Sequence, residues 1–212
     1  HLSNFLIFFT SVYFFFKIVK QRFNSYLMGI LGATLLIISP RIFAESFYNN
    51  KDIIFMSLFI INIYFAIKFL EKSNIKNAVI FSLTAGLLIN VRIFGLILPF
   101  LVFLIYIIKL LRHEQNKRQL SFSLIVFVAL TPVFIFLFWP YLWENPVQNL
   151  IYSFKYLDAH TLNFYTYYLG EYVLSVNLSW HYHLVWIFIS TPLLYIIFFI
   201  IGFIFISRRI LQ

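Results

Sequence analysis

No cysteine occurs among the 212 residues, so disulfides, thiolate nucleophiles and zinc held by sulfur are all excluded. Charge is also scarce: Asp, Glu, Lys and Arg make up 11% of the chain, and only seven of its residues are acidic. No HExxH sequence, Walker loop or Rossmann glycine pattern is present, which leaves zinc proteolysis and nucleotide hydrolysis without a foothold. What the chain has in quantity is apolar surface. Hydrophobic residues account for 62%, Phe alone contributes 29, and the mean hydropathy is +0.91. A water-soluble domain of this length could not bury so much.

The apolar residues fall into seven stretches, near 4–16, 27–39, 53–70, 77–91, 95–111, 119–139 and 184–206. Several are shorter than the roughly 20 residues a perpendicular helix needs. Flanking Tyr26, Tyr48 and Asn50 are suited to extending such helices into the interface. The expected fold is therefore all-α: a polytopic bundle of about seven transmembrane helices, with residues 1–212 forming one partial membrane-embedded domain. The chain is apolar from Leu2 onward, which suggests a fragment cut just before or inside a helix.

Basic residues gather at every second break. If the first helix runs inward, the inner breaks are 17–26, 68–76, 109–118 and 207–212. They hold twelve of the sixteen basic residues, including Lys17, Lys68, Lys109, Arg112, Arg208 and Arg209, and two of the seven acids, Glu71 and Glu114. The outer side holds Arg41, Lys51, Arg92 and Lys155 with Glu45, Asp52, Glu144, Asp158 and Glu171. This positive-inside bias orients the protein. It also accounts for the net charge of +9 without nucleic acid, which is not expected as a partner. Most acids and the long connection, residues 140–183, lie outside, so a site is expected there.

Within that connection, residues 147–157 place Val147, Leu150, Ile151, Phe154 and Leu157 on one helical stripe, the pattern of an amphipathic helix lying in the interface. Pro140 and Pro146 stop helix continuation on either side of a tight bend. The surrounding segments 139–146 and 160–183 are dense in Trp, Tyr and His. They read either as an aromatic belt or as the lining of a groove for lipid or sugar. His181 and His183 are two apart, so joint metal ligation would need an irregular backbone, and an interface role fits them and His160 better.

Four residues could carry chemistry. Arg41, Glu45 and Asp52 lie within twelve positions in the first outer loop, 39–53. Glu45 and Asp52 are seven apart and would share a face of a continuous helix, although Asn49-Asn50 weakens it. Converging, they could hold a divalent cation or position a proton; apart, they merely solvate a loop. Arg92 follows LTAGLLIN and precedes IFGLILPF, in a helix turn close to the outer hydrocarbon boundary, where charge is costly unless paired or snorkelling. Lipid headgroups, an outer carboxylate or a bidentate phosphate are all suitable partners. Gly86 and Gly95 flank it and permit close helix approach.

The order SPRIFAESFYNNKD (39–52), GLLINVRIFGLILP (86–99), WPYLWENP (139–146) and YLGEYVLSVNLSWHYHLVWIFISTP (168–192) resembles membrane glycosyltransferases of the C-type fold. The resemblance is to the dolichyl-phosphate-mannose protein mannosyltransferase-like group, which includes lipid A aminoarabinose transferases. It covers about residues 5–206. It implies inverting transfer of a hexosyl or pentosyl group from a polyprenyl-phosphate donor to a lipid, glycan or protein acceptor. The reaction would occur at the outer face of a bacterial inner membrane, toward the periplasm or exterior. By the same resemblance Asp52 lies near the donor phosphate or is a candidate ligand for a divalent cation, with Glu45 a looser supporting match. Arg92 and Arg41 serve the phosphate, and Trp139, Pro140, Tyr141, Tyr182 and His183 line the outer cavity. The family's main catalytic acid belongs to an outer loop expected to precede His1, so the piece is expected to be inactive alone. The alternatives are a transporter or flippase for a lipid-linked or small anionic substrate, and an assembly subunit without chemistry. Charges near one face and helix centres of Phe, Leu and Ile favour the transferase.

Overall fold

A computed structural model describes residues 1–112, 117–159 and 163–211. His160 and Glu114 lie outside the described residues, as do the side chains of Leu157, Asp158 and Arg209. The chain forms two compact units, His1–Leu150 and Ile151–Gln212.

In the first unit α1 (Leu2–Phe23) turns at Asn24, whose left-handed φ of 48° suits an Asn, into α2 (Tyr26–Ile38), capped by Ser25. The short α3 (Pro40–Glu45) starts on its proline and leads to α4 (Asp52–Glu71). Helix α5 (Ile75–Val91) is capped by Asn74, and a 3-10 turn over Ile93–Leu96 enters α6 (Ile97–Leu111). Helix α7 (Lys117–Phe138) follows. α1 packs on α2 and α4, α4 on α5, and α5 on α7. Helices α1, α4, α7 and the span Ile93–Leu111 are long and apolar enough to cross a membrane, whereas α2 and α5 are shorter apolar helices. The all-α transmembrane bundle is thus present.

The core of this unit is aromatic. Phe69 of α4 stacks on Tyr106 of α6 at 4.8 Å and on Phe81 of α5 at 5.8 Å, and Phe81 meets Phe127 of α7 at 5.1 Å. Offset ring pairs of this kind add about 0.5–1.5 kcal/mol each beyond the burial of their area. Polar side chains join the same helices: Asn62 Nδ2 donates to Thr84 Oγ1 at 2.7 Å, and Ser82 Oγ to the Phe127 carbonyl at 3.3 Å. Such bonds hold helices together where lipid provides no hydrophobic drive between them. In contrast, Phe100, Leu101, Phe122 and Ile125 are exposed, as a lipid-facing surface requires.

The two ends of the bundle differ in charge. At one, Lys68 Nζ bonds Glu71 at 3.1 Å and Gln21 Oε1 at 3.0 Å, Gln21 Nε2 donates to Glu71, and Gln119 Nε2 reaches the Ser73 carbonyl at 3.1 Å. At the other, His1 Nδ1 lies 2.7 Å from the Phe47 carbonyl, and Asp52 meets Arg92. The residues read from sequence as inner and outer therefore separate. The break placed at 17–26 is shorter than expected: Lys17, Lys20 and Arg22 belong to α1, and only Asn24 and Ser25 interrupt the helices. Lys17 lies over the Tyr13 ring at 4.3 Å and Lys20 over Tyr26 at 3.5 Å, so the cations are met by π faces without ending the helix.

Helix α8 (Pro146–Ala159) opens on Pro146, as the proline reading expects, and its apolar stripe of Val147, Leu150, Ile151 and Phe154 is exposed. The second unit holds an antiparallel hairpin, β1 (Tyr165–Tyr168) and β2 (Glu171–Leu174), paired Tyr165 to Leu174 and Tyr168 to Glu171. Both turn residues have positive φ, 51° at Leu169 and 95° at Gly170, the geometry that follows the strand twist. The last apolar run is not one straight helix. α9 (Tyr182–Ser190) and α10 (Leu193–Leu211) meet at 112°, because Pro192 removes a backbone donor and pushes Thr191 to an extended conformation.

Candidate functional site

The polar residues of the Asp52 end form a continuous chain. Arg41 Nε donates to Glu45 Oε1 at 3.0 Å, and Asn49 Nδ2 donates to Glu45 Oε2 at 2.9 Å and to Asp52 Oδ2 at 3.1 Å. Arg92 Nη2 then donates to Asp52 Oδ1. The Glu45 side chain is 21% exposed, whereas Asp52 and Arg92 keep 58% and 42% of theirs open. All four residues singled out from sequence thus come together.

The way they converge differs from the expected continuous helix. α3 stops at Glu45, and the turn through Ser46–Lys51 returns the chain so that Asp52 opens α4. Asn49 makes this turn work: its Oδ1 accepts the backbone N–H of Lys51 at 3.1 Å and of Asp52 at 2.8 Å, while its Nδ2 joins the acids. Lys51 has no side chain able to cap α4 and makes no side-chain capping bond. Asn49 was the residue sequence reasoning undervalued. The usable signal was an Asn three positions before an Asp that starts an apolar helix. Asp52 also complements the positive end of the α4 dipole.

Arg92 is not in a helical turn, a second correction. It ends α5 in an extended conformation, φ −150° and ψ 132°, and the 3-10 turn after it folds back on α5. Gly95 permits this return, since a Cβ there would stand 2.8 Å from Leu88 Cγ and 3.1 Å from the Ile89 nitrogen. Four residues beyond Arg92 begins an apolar groove of about 560 Å³ between α6 and α7, lined by Leu96, Ile97, Phe100, Phe103, Val128 and Ile135 among others. Gly86 lets α5 approach α7 at the same level, its virtual Cβ only 2.6 Å from Phe134 Cβ.

Each of the four oxygens of Glu45 and Asp52 accepts one Arg or Asn N–H, and a carboxylate oxygen that accepts one such bond keeps a second lone pair. Among the described residues no three His, Asp or Glu side chains group together, His181 and His183 included.

The aromatic candidates divide between the units. Trp139 is half-buried, Pro140 starts a 3-10 turn through Leu142, and Tyr141 is exposed with its carbonyl taking an Asn149 Nδ2 bond at 2.6 Å. In the second unit Tyr182 meets Tyr168 edge-on at 5.0 Å and His183 at 5.3 Å.

No curated protein matches the chain, and no solved structure does. The family model for dolichyl-phosphate-mannose-protein mannosyltransferase matches residues 1–139, taking in the whole Arg41 to Arg92 chain and Trp139 but not the hairpin, Tyr182 or His183. With well over half of its 212 residues matched, and with a bundle that presents paired arginines and carboxylates at one end, the chain belongs to the dolichyl-phosphate-mannose-protein mannosyltransferase family.

Proposed function

We propose that the Asp52 end of the bundle holds the phosphate of a polyprenyl-phosphate sugar at the outer face of the membrane, for transfer of the sugar with inversion. The family makes this an integral membrane glycosyltransferase of the mannosyltransferase type. The observation that carries the finer reading is the pairing of Arg92 with Asp52 at the end of an Asn49-bridged chain. One guanidinium N–H faces Asp52, which leaves others for a phosphate oxygen, and the same holds for Arg41 beside Glu45.

As the acceptor oxygen bonds to the anomeric carbon and its hydroxyl proton passes to a general base, the carbon–oxygen bond to the phosphate breaks and its electron pair stays on the phosphate. Arg92 stabilises that growing charge, the type of interaction worth most in catalysis. Asp52 and Glu45, with their oxygens engaged, are positioning residues for the two arginines. The isoprenoid tail lies along the Leu96–Ile135 groove, whose mouth is one short turn from Arg92. Trp139 and Tyr141, on either side of Pro140 in the same unit, line the acceptor side.

The test is transfer from a radiolabelled polyprenyl-phosphate sugar by the intact protein in liposomes, over a panel of donors and acceptors. Donor-dependent transfer is expected. No turnover with any pair would overturn this reading.

A further inference from the structure

The opposite end of the bundle carries a second amphiphile-shaped feature that the transferase reading does not use. Between the last turns of α4 and α6 lies a cavity of about 260 Å³ lined by Leu70, Ile105, Ile108, Lys109 and Arg112. Ile105 lies three and four residues before Ile108 and Lys109, and Arg112 three and four residues after Lys109 and Ile108, so one face of α6 passes from apolar to cationic at its end. Lys109 Nζ is held in place by the Leu70 carbonyl at 3.0 Å and Ser73 Oγ at 3.5 Å. Arg112 is exposed just past the helix. Of the two acids read at this end, Glu71 is already bonded to Lys68 and Gln21 and Glu114 lies outside the described residues, while Lys72, Lys76, Lys117 and Arg118 add positive charge.

We propose that this cavity binds an anionic bilayer phospholipid, with its phosphate between Arg112 and Lys109 and the start of an acyl chain along Leu70, Ile105 and Ile108. Two cations at the mouth of an apolar slot select a net negative headgroup over a zwitterionic one, whose own ammonium would be repelled. The slot matches the amphiphile in order, charge at the helix end and hydrocarbon one turn deeper. The site does not depend on the transferase reading.

The test is electron spin resonance of the intact protein in phosphatidylethanolamine vesicles, with trace spin-labelled phosphatidylglycerol or phosphatidylethanolamine. Phosphatidylglycerol should associate preferentially. Arg112→Gln should weaken that association roughly fivefold, the effect of one interfacial cation. Arg22→Gln, which removes a cation elsewhere at the basic end, should leave it unchanged. Equal association of the two lipids, no change in Arg112→Gln, or an equal loss in Arg22→Gln would overturn the site. So would suppression of the signal by millimolar inorganic phosphate or by stoichiometric polyprenyl phosphate, which would assign the cavity to those ligands instead.

Discussion

Asp52 and Arg92, forty residues apart in sequence, meet through a charge-assisted hydrogen bond that joins the first turn of α4 to the end of α5. Both side chains remain substantially exposed, 58% and 42%, so the pair contributes only about 0.2–1 kcal/mol to stability. Its consequence is orientation of the guanidinium. Asp52→Asn should therefore leave the bundle folded yet lower kcat/KM for donor about tenfold. In an Arg92→Ala background the same change should add almost nothing, since a positioning residue has nothing left to position. A double-mutant cycle in liposomes checks this, and additive losses would place the role of Asp52 elsewhere.

Asn49 does two jobs that substitutions separate. Asn49→Ala removes both the cap on α4 and the bridge between the acids, at a cost of about 1 kcal/mol in stability. Asn49→Asp keeps an acceptor for the Asp52 and Lys51 N–H groups but replaces the donor with a third carboxylate. Transfer should fall in both variants, with the larger loss in Asn49→Asp. Transfer that followed thermal stability alone would contradict the bridging role.

Gly95 and Gly86 give different results when changed to Ala. At Gly95 the new Cβ meets Leu88 and the Ile89 backbone, which disturbs the turn that carries Arg92, so KM for donor should rise more than stability falls. At Gly86 the new Cβ meets Phe134, including its backbone carbon at 2.9 Å, and forces α5 from α7. Overpacking of that kind costs about 1–3 kcal/mol. Thermal melts with donor titrations distinguish the two.

Much of this architecture is legible in the residue order because lipid solvation demands long apolar runs whatever their detailed packing. Helices α1, α4 and α7 correspond to such runs, and the separation of Arg92 and Asp52 from Lys68 and Lys109 follows the charge bias. Helix ends were less legible: Lys17 and Lys20 read as a break, yet their stems run along α1 to the Tyr13 and Tyr26 rings. The hairpin at Tyr165–Leu174 was hidden because its tyrosines suit an aromatic belt as well as a strand, and its turn is Leu-Gly where Asn-Gly would have signalled it. Asn49 is legible as a helix breaker, but its bridge between the acids exists only once α3 has stopped at Glu45. The bond from Asn62 to Thr84 depends on which faces of α4 and α5 meet, which composition does not encode.

The most direct test compares wild type with Arg92→Ala and Arg92→Lys for transfer from a radiolabelled polyprenyl-phosphate sugar in liposomes, with thermal melting recorded for each. Loss of one electrostatic donor at the leaving phosphate should lower turnover by about 10²–10³ in Arg92→Ala. Lys should restore part of it, keeping the charge but not the two-pronged geometry, and melting should shift little. Wild-type turnover in a folded Arg92→Ala protein would contradict the assignment of the donor phosphate to this end of the bundle.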